Sequence, residues 1–241
     1  MQKKMFGVMT TLALVVGFST TADATLLDRG NGMIYDTDQN LTWLKDANYA
    51  KTSGYDADGA MSWDDAMFWA GNLVYGSYSD WRLPTLADTG TPGCNFSNNG
   101  SDCGYNVDTA NSEMAYMWDV ILGNTPYVDA SGLPGQCINA APWCLTSTSA
   151  DGVAIDNLQL PLYWLGKEHA PGNVQAWYFH TQYGSQYHYL KSADFYAQGM
   201  GFYAWAVRSG DVVAQANVPE PSALFLLSLG LVGVAAAWRR C

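Results

Sequence analysis

The sequence runs to 241 residues with 49% hydrophobic and only 14% charged positions, and its 22 acidic residues outnumber 11 basic ones for a formal charge of −11. So large an apolar fraction excludes a disordered chain, which cannot bury enough surface to offset its ordering entropy. The acidic excess excludes nucleic acid as a partner, because phosphate binding relies on clustered Lys and Arg, and it disfavours sulfated or uronic polysaccharides unless a cation bridges them.

At the N-terminus, Lys3 and Lys4 precede an apolar stretch around Thr11 to Phe18 and then Ala22-Asp23-Ala24. That layout predicts a secretory signal peptide over residues 1–24, delivered to the Sec translocon and cut after Ala24, with Ala22 as the alternative site. Export places the following domain in an oxidising compartment, where Cys94, Cys103, Cys137 and Cys144 read as disulfides. Four cysteines allow three connectivities. The short loops rich in Gly, Asn and Pro favour Cys94 with Cys103 and Cys137 with Cys144. Neither pair has the Cys-x-x-Cys spacing of zinc or redox sites.

Residues 25–212 read as one domain without internal repeats, holding 7 basic and 20 acidic residues for a net −13. Leu26 to Leu44 predicts short strands broken at Gly30-Asn31-Gly32 and at Asp36-Thr37-Asp38-Gln39-Asn40. A helix follows, capped by Ser62 with Asp65 three positions on. Its buried face is expected to comprise Trp63, Ala66, Met67, Ala70 and Leu73 or Val74. Gly76 to Asp80 leads out of it into Trp81-Arg82-Leu83-Pro84-Thr85. A second helix is predicted over Ser112 to Leu122, with Met114, Met117, Trp118, Ile121 and Leu122 on one face and Gly123 at its C-terminal cap. Then come strands: Leu158 to Leu165, a hairpin of Val174 to Gln182 with Gln186 to Leu190 about Gly184-Ser185, and Phe202 to Arg208. Two helices and an antiparallel sheet joined by many loops predict an α+β fold.

Several groupings invite a functional reading. In Asp80-Trp81-Arg82, the guanidinium can bind a carboxylate or backbone carbonyls in a planar fork, so Trp81 and Arg82 are expected to be structural. In the aromatic hairpin from Trp177 to Tyr189, alternation puts Trp177, Phe179 and Thr181 on one face and Tyr178, His180 and Gln182 on the other. Flat rings beside hydrogen-bonding groups suit a sugar. Trp164, Tyr178, His180, Tyr187 and His188 are the candidate contacts, weighed against an ordinary core row and sheet surface. The runs Asp36-Thr37-Asp38-Gln39-Asn40 and Asp56-Ala57-Asp58-Gly59 carry alternating oxygen ligands. Neither completes an EF-hand, since Ala47 and Met67 stand at the twelfth positions, so calcium outside an EF-hand and plain turn chemistry both stay open. With three histidines, and no Gly-x-Ser-x-Gly, His-Glu-x-x-His or P-loop motif, no catalytic residues are assigned.

The segments Ile34-Tyr35-Asp36 to Leu41-Thr42-Trp43, Ser62-Trp63-Asp64-Asp65-Ala66, Ser79-Asp80-Trp81-Arg82-Leu83-Pro84-Thr85, Tyr163-Trp164 and Ala206-Val207-Arg208 resemble the Lcl C-terminal domain family across roughly Leu27 to Asp211. The resemblance implies a fold similar to C-type lectins and formylglycine-generating enzymes, and glycan binding of the kind shown by collagen-like adhesins. The chain departs from that pattern at Leu165-Gly166-Lys167, where the family carries serines and a threonine.

After a polar linker, residues 213–217, the chain ends in Val218-Pro219-Glu220-Pro221, an apolar run from Ala223 to Trp238, and Arg239-Arg240-Cys241. Sixteen helical residues span ~24 Å, short of the ~30 Å hydrocarbon core, which predicts a transient transmembrane helix. Residues 218–241 resemble the PEP-CTERM sorting signal, with Pro219, Glu220 and Pro221 as its motif. That resemblance implies cleavage by exosortase and a Gram-negative host that exports polysaccharide. The sequence thus predicts an exported cell-surface or extracellular-matrix protein that binds a polysaccharide or other glycan without catalysis and without a cofactor, calcium excepted. The alternatives are a structural component of a biofilm matrix with no specific ligand, and a polysaccharide-modifying enzyme.

Overall fold

The computed structural model describes residues 25–89, 102–135, 145–170, 172–196 and 200–212. The expected signal peptide with Ala24, the linker, the sorting segment with Pro219, Glu220 and Pro221, and Cys94, Cys137 and Cys144 lie outside the described residues. Among those described, no helix is long and apolar enough to cross a membrane.

Strands β1 (Leu26–Gly30), β2 (Met33–Asp36) and β3 (Leu41–Leu44) form an antiparallel meander. Asn31 and Gly32 join the first two with φ of 51° and 72°, the paired positive values that a two-residue turn matched to strand twist requires. Helix α1 (Tyr49–Thr52) is a single turn that the periodicity does not announce. Helix α2 (Trp63–Asn72) starts where expected, with the Ser62 hydroxyl accepting from the Asp65 amide at 3.2 Å. Its buried residues are Trp63, Ala66, Trp69 and Ala70, whereas Met67 and Val74 are exposed. The apolar stripe is therefore rotated from the expected one, because the larger Trp69 takes the core position.

The second helix begins as α3 (Glu113–Ala115), capped by Ser112, but continues as a π-helix over Tyr116–Ile121. Its expected face, Met114, Met117, Trp118, Ile121 and Leu122, is buried. The widening follows from the end of the helix. Asn124 donates from both its backbone and its side chain to the Trp118 carbonyl, and Leu122 donates to Met117 five residues back.

The remaining strands are β4 (Gly104–Tyr105), β5 (Leu162–Glu168), β6 (Gln175–His180), β7 (Ser185–Leu190), β8 (Phe195–Tyr196), β9 (Met200–Tyr203) and β10 (Val207–Ser209). Among the described residues two sheets result, not the single antiparallel one expected. The first has four strands in the order β1-β2-β3-β10, and the second has six, β4-β7-β6-β5-β9-β8, with β5 and β9 parallel. The single strand expected over Phe202 to Arg208 is divided between them. Its middle, Ala204-Trp205-Ala206, is buried and carries the chain from one sheet to the other. The strand expected from Leu158 starts only at Leu162, after Pro161, which has no amide hydrogen to give a ladder. Few helices, antiparallel and mixed sheets and long loops make this an α+β domain.

Arg82 links β10 of the first sheet, through its backbone, to the start of α3, through its side chain. Its guanidinium grips Glu113 through two bonds of 2.7 and 2.8 Å and reaches the Leu83 carbonyl at 3.1 Å. Glu113 also accepts from the Thr85 amide. The carboxylate it holds is that of Glu113, whereas the nearby Asp80 pairs with Arg208. Trp81 is buried. Arg82→Lys cannot reproduce the planar fork, so it is expected to cost about 2 kcal/mol and to lower Tm by about 5 °C. Calorimetry at neutral pH checks this; an unchanged Tm removes the clamp.

Candidate functional site

The structure places the five expected sugar contacts differently from the alternation that nominated them. Trp164, Tyr178 and Tyr187 do share a face, because Trp164 pairs with Tyr178 and Tyr178 with Tyr187 across β5, β6 and β7. That face, however, is mostly covered. Trp164 is 0% exposed, stacks on Phe202 with ring centroids 4.1 Å apart and donates its indole N–H to the Met61 carbonyl. Tyr178 is also buried, edge-on to Phe202. His180 is buried against Tyr183, its Nδ1 finds no hydrogen-bond partner, and burial pushes its pKa down to about 4. These three rings thus offer a sugar no open face, which corrects their assignment. The alternation misled because β6 is covered on both sides, from Ala176 to His180. Tyr187 and His188 remain half-buried.

His188 lies on the opposite face, and around the His169 ring that stacks on it the structure opens a cleft of about 670 Å³. The cleft is lined by Trp63 at the start of α2 and by Gly166, Lys167, Glu168, His169, Ala170, Gly172 and Asn173. A local slip in register builds its wall. Pairing of β5 with β6 shifts between Trp164 and Glu168, while the Gly166 amide turns away to the Pro84 carbonyl at 2.7 Å. His169 then donates its amide to the Gln175 carbonyl at 3.0 Å, closing the loop before β6.

Behind this wall the rings are tightly organised. The imidazoles of His169 and His188 stack with centroids 3.6 Å apart and planes 21° from parallel, and Trp177 meets both edge-on. The Asp88 carboxylate accepts from the Trp177 indole and from the Ala170 amide, each at 3.0 Å, tying the loop to the sheet. His188 Nδ1 lies 3.1 Å from Gln175 Oε1. On the other side, Lys191 pairs with Glu168, and its ammonium sits 4.4 Å above the Trp63 ring. Burial, and then the adjacent His169, hold the His188 pKa below its ordinary value, with Asp88 opposing.

Charge singles out one side chain at the mouth. Arg29, Lys45, Arg82, Lys191 and Arg208 are all in ion pairs. Among the described residues, that leaves only Lys51 and Lys167 of the Lys and Arg side chains without one, and Lys167 is exposed in the cleft wall. Sequence reasoning named none of Trp63, Asp88, Lys167 and His169 as site residues. The only local signal was the departure at Leu165-Gly166-Lys167, which forms the wall.

The two acidic runs resolve as turns. Asp36 Oδ1 accepts from the Asp38 and Gln39 amides, and Asp56 Oδ1 from those of Asp58 and Gly59. Among the described residues, no group of three or more His, Cys, Asp or Glu is placed to hold a metal ion. Cys103 is buried and disulfide-bonded.

Residues 32–208 match the Lcl C-terminal domain, and residues 217–240 match the PEP-CTERM protein-sorting motif. No curated protein and no solved structure matches the chain. The sorting motif marks the chain for processing by exosortase and for export to the cell surface or the extracellular space.

Proposed function

We propose, since the chain belongs to the Lcl C-terminal domain family, that its exported domain, residues 25–212, is a carbohydrate-binding module that performs no catalysis. The single observation behind this reading is the cleft beside His169. Its volume of about 670 Å³ falls within the range of small-ligand sites, and it combines planar rings with exposed hydrogen-bonding groups. Lys167 and Asn173 supply donors for hydroxyls, Glu168 an acceptor, and the His169 ring a flat surface for an apolar sugar face. Neither Tyr187 nor His188 lines the cleft, and His188 bears on it through His169, on which it stacks.

A Gram-negative host with a polysaccharide matrix, passage through the Sec translocon, and pairing of Cys94 with Cys103 and Cys137 with Cys144 belong to the same proposal. So does a C-type-lectin-like or formylglycine-generating-enzyme-like arrangement of the two sheets. The test is a glycan array probed with the exported protein, with and without a chelator. Saturable binding is expected, reduced about tenfold or more in Lys167→Ala and in His169→Ala, which corresponds to a loss of ~1.4 kcal/mol or more. Binding abolished by the chelator would bring calcium into the site. No binding to any glycan favours the purely structural matrix protein, and turnover of a bound glycan overturns the non-catalytic reading.

A further inference from the structure

We propose that the stacked pair of His169 and His188 is an acid-operated latch that holds the cleft wall closed at neutral pH and releases it when both rings are charged. As regulation of the cleft, this rests on the reading of the cleft as a glycan site. The latch itself rests on geometry. A centroid separation of 3.6 Å with planes 21° from parallel leaves no room for solvent between the imidazoles. Neutral rings attract in this arrangement, and one proton is tolerable, but two imidazolium charges in contact repel strongly in a partly buried setting.

The two rings are not held alike. His188 is fixed in the middle of β7, paired with Trp177 and reaching Gln175 with Nδ1. His169 stands at the end of β5, on the loop that lines the cleft. Repulsion therefore moves His169 and the adjoining wall residue Ala170.

The charged groups around the pair do not cancel the second proton. Asp88, whose Oδ2 accepts from the Trp177 indole and the Ala170 amide, favours a charged His188 but is outweighed by burial and by His169. Glu168 is engaged with Lys191, which brings a positive charge of its own beside the loop. Lys167, two residues before His169, adds another exposed positive charge on β5. Trp177, Trp63 and Gln175 are neutral. The depression of His188 by burial and by His169 has the same direction.

The test follows imidazole and backbone amide resonances of the exported protein by NMR from pH 8 to 4.5, in wild type and in His169→Phe and His188→Phe. Phenylalanine keeps a ring in the stack and removes one proton site. Wild type is expected to titrate in two coupled steps, the lower one below that of an ordinary histidine. Ala170, Gly172 and Asn173 amides should shift with that lower step. Each variant should show a single step without the amide shifts. Two independent steps near the ordinary value, or amide shifts that persist in both variants, overturn the latch.

Array binding at pH 7.5 and pH 5 separates this inference from the functional one. A glycan bound at pH 7.5 and weakened about tenfold or more at pH 5 in wild type, in step with the amide shifts, supports both. Equal binding at the two pH values overturns the gate while leaving the glycan site standing. Coupled titration without any glycan bound at pH 7.5 supports the latch and defeats the binding reading.

Discussion

Trp205→Ala is expected to destabilise the domain by about 4 kcal/mol and to lower Tm by about 12 °C, the largest effect anticipated for a single side chain. Trp205 is 1% exposed and sits where the chain passes between the two sheets. Its ring lies 4.7 Å from Trp43 in the first sheet and 6.1 Å from Tyr163 in the second, and its indole N–H donates to the Leu44 carbonyl at 2.7 Å. Alanine leaves a void between the sheets and an unsatisfied buried carbonyl. Each loss is costly because the surrounding rings can collapse only in part. Trp205→Phe keeps most of the packing and loses the hydrogen bond, so about half the penalty, roughly 2 kcal/mol, should remain. Thermal melts followed by circular dichroism measure both. A loss below about 1 kcal/mol in the alanine variant would show that the two sheets hold together without this ring.

The same residue shows where the sequence stops being readable. Local chemistry was legible: Ser62 with Asp65 marked the start of α2, Asn31-Gly32 marked a tight turn, and the hairpin about Gly184 closed where expected, with Gly184 at φ 62°. Each of these signals is confined to a few neighbouring residues. The crossing at Trp205 has no such signature, since Phe202 to Arg208 reads as one apolar strand whether it serves one sheet or two. Only pairing with β5 on one side and β3 on the other divides it. The π-turn over Tyr116–Ile121 was hidden for the same reason, because the acceptor that widens it is captured by Asn124.

The candidate site was harder still. Its parts come from Trp63, Asp88, residues 166–170, 172 and 173, His188 and Lys191, and no sequence window contains more than a fragment of it. Residue type pointed to β5 to β7, and period-two alternation nominated rings there that the structure buries. Alternation assigns sides but not exposure, and a six-stranded sheet covered on both sides turns a surface-like pattern into core. The acidic balance misled in a similar way. A domain with net charge −13 looks uniformly repulsive to anions, yet five of its seven cations are neutralised in pairs and one of the two left over stands at the cleft mouth.

His180 carries the second large expectation, a loss of stability on acidification. Its folded pKa, pushed down to about 4 by burial, lies below the ordinary value of 6.5, so the unfolded chain takes up the proton first. The contribution of the neutral ring is therefore complete above about pH 6.5, is lost progressively as the pH falls to about 4, and does not fall further once both states are protonated. A separation of this size is worth about 3 kcal/mol. Asp36 and Asp119 act in the opposite sense. Burial raises both carboxyls, so the folded state holds their protons more firmly and acid relieves them. The total pH profile mixes these signs, and the difference between wild type and His180→Phe isolates the histidine. Phenylalanine preserves the ring against Tyr183 and removes the Nδ1 that has no partner, so the variant should match or exceed wild type at pH 7. By pH 4 it should be ahead by about 3 kcal/mol more than at pH 7, read from denaturant unfolding at both pH values. Parallel stability curves for the two proteins would mean that the buried imidazole is protonated without penalty, and would require a partner for Nδ1 in the folded interior.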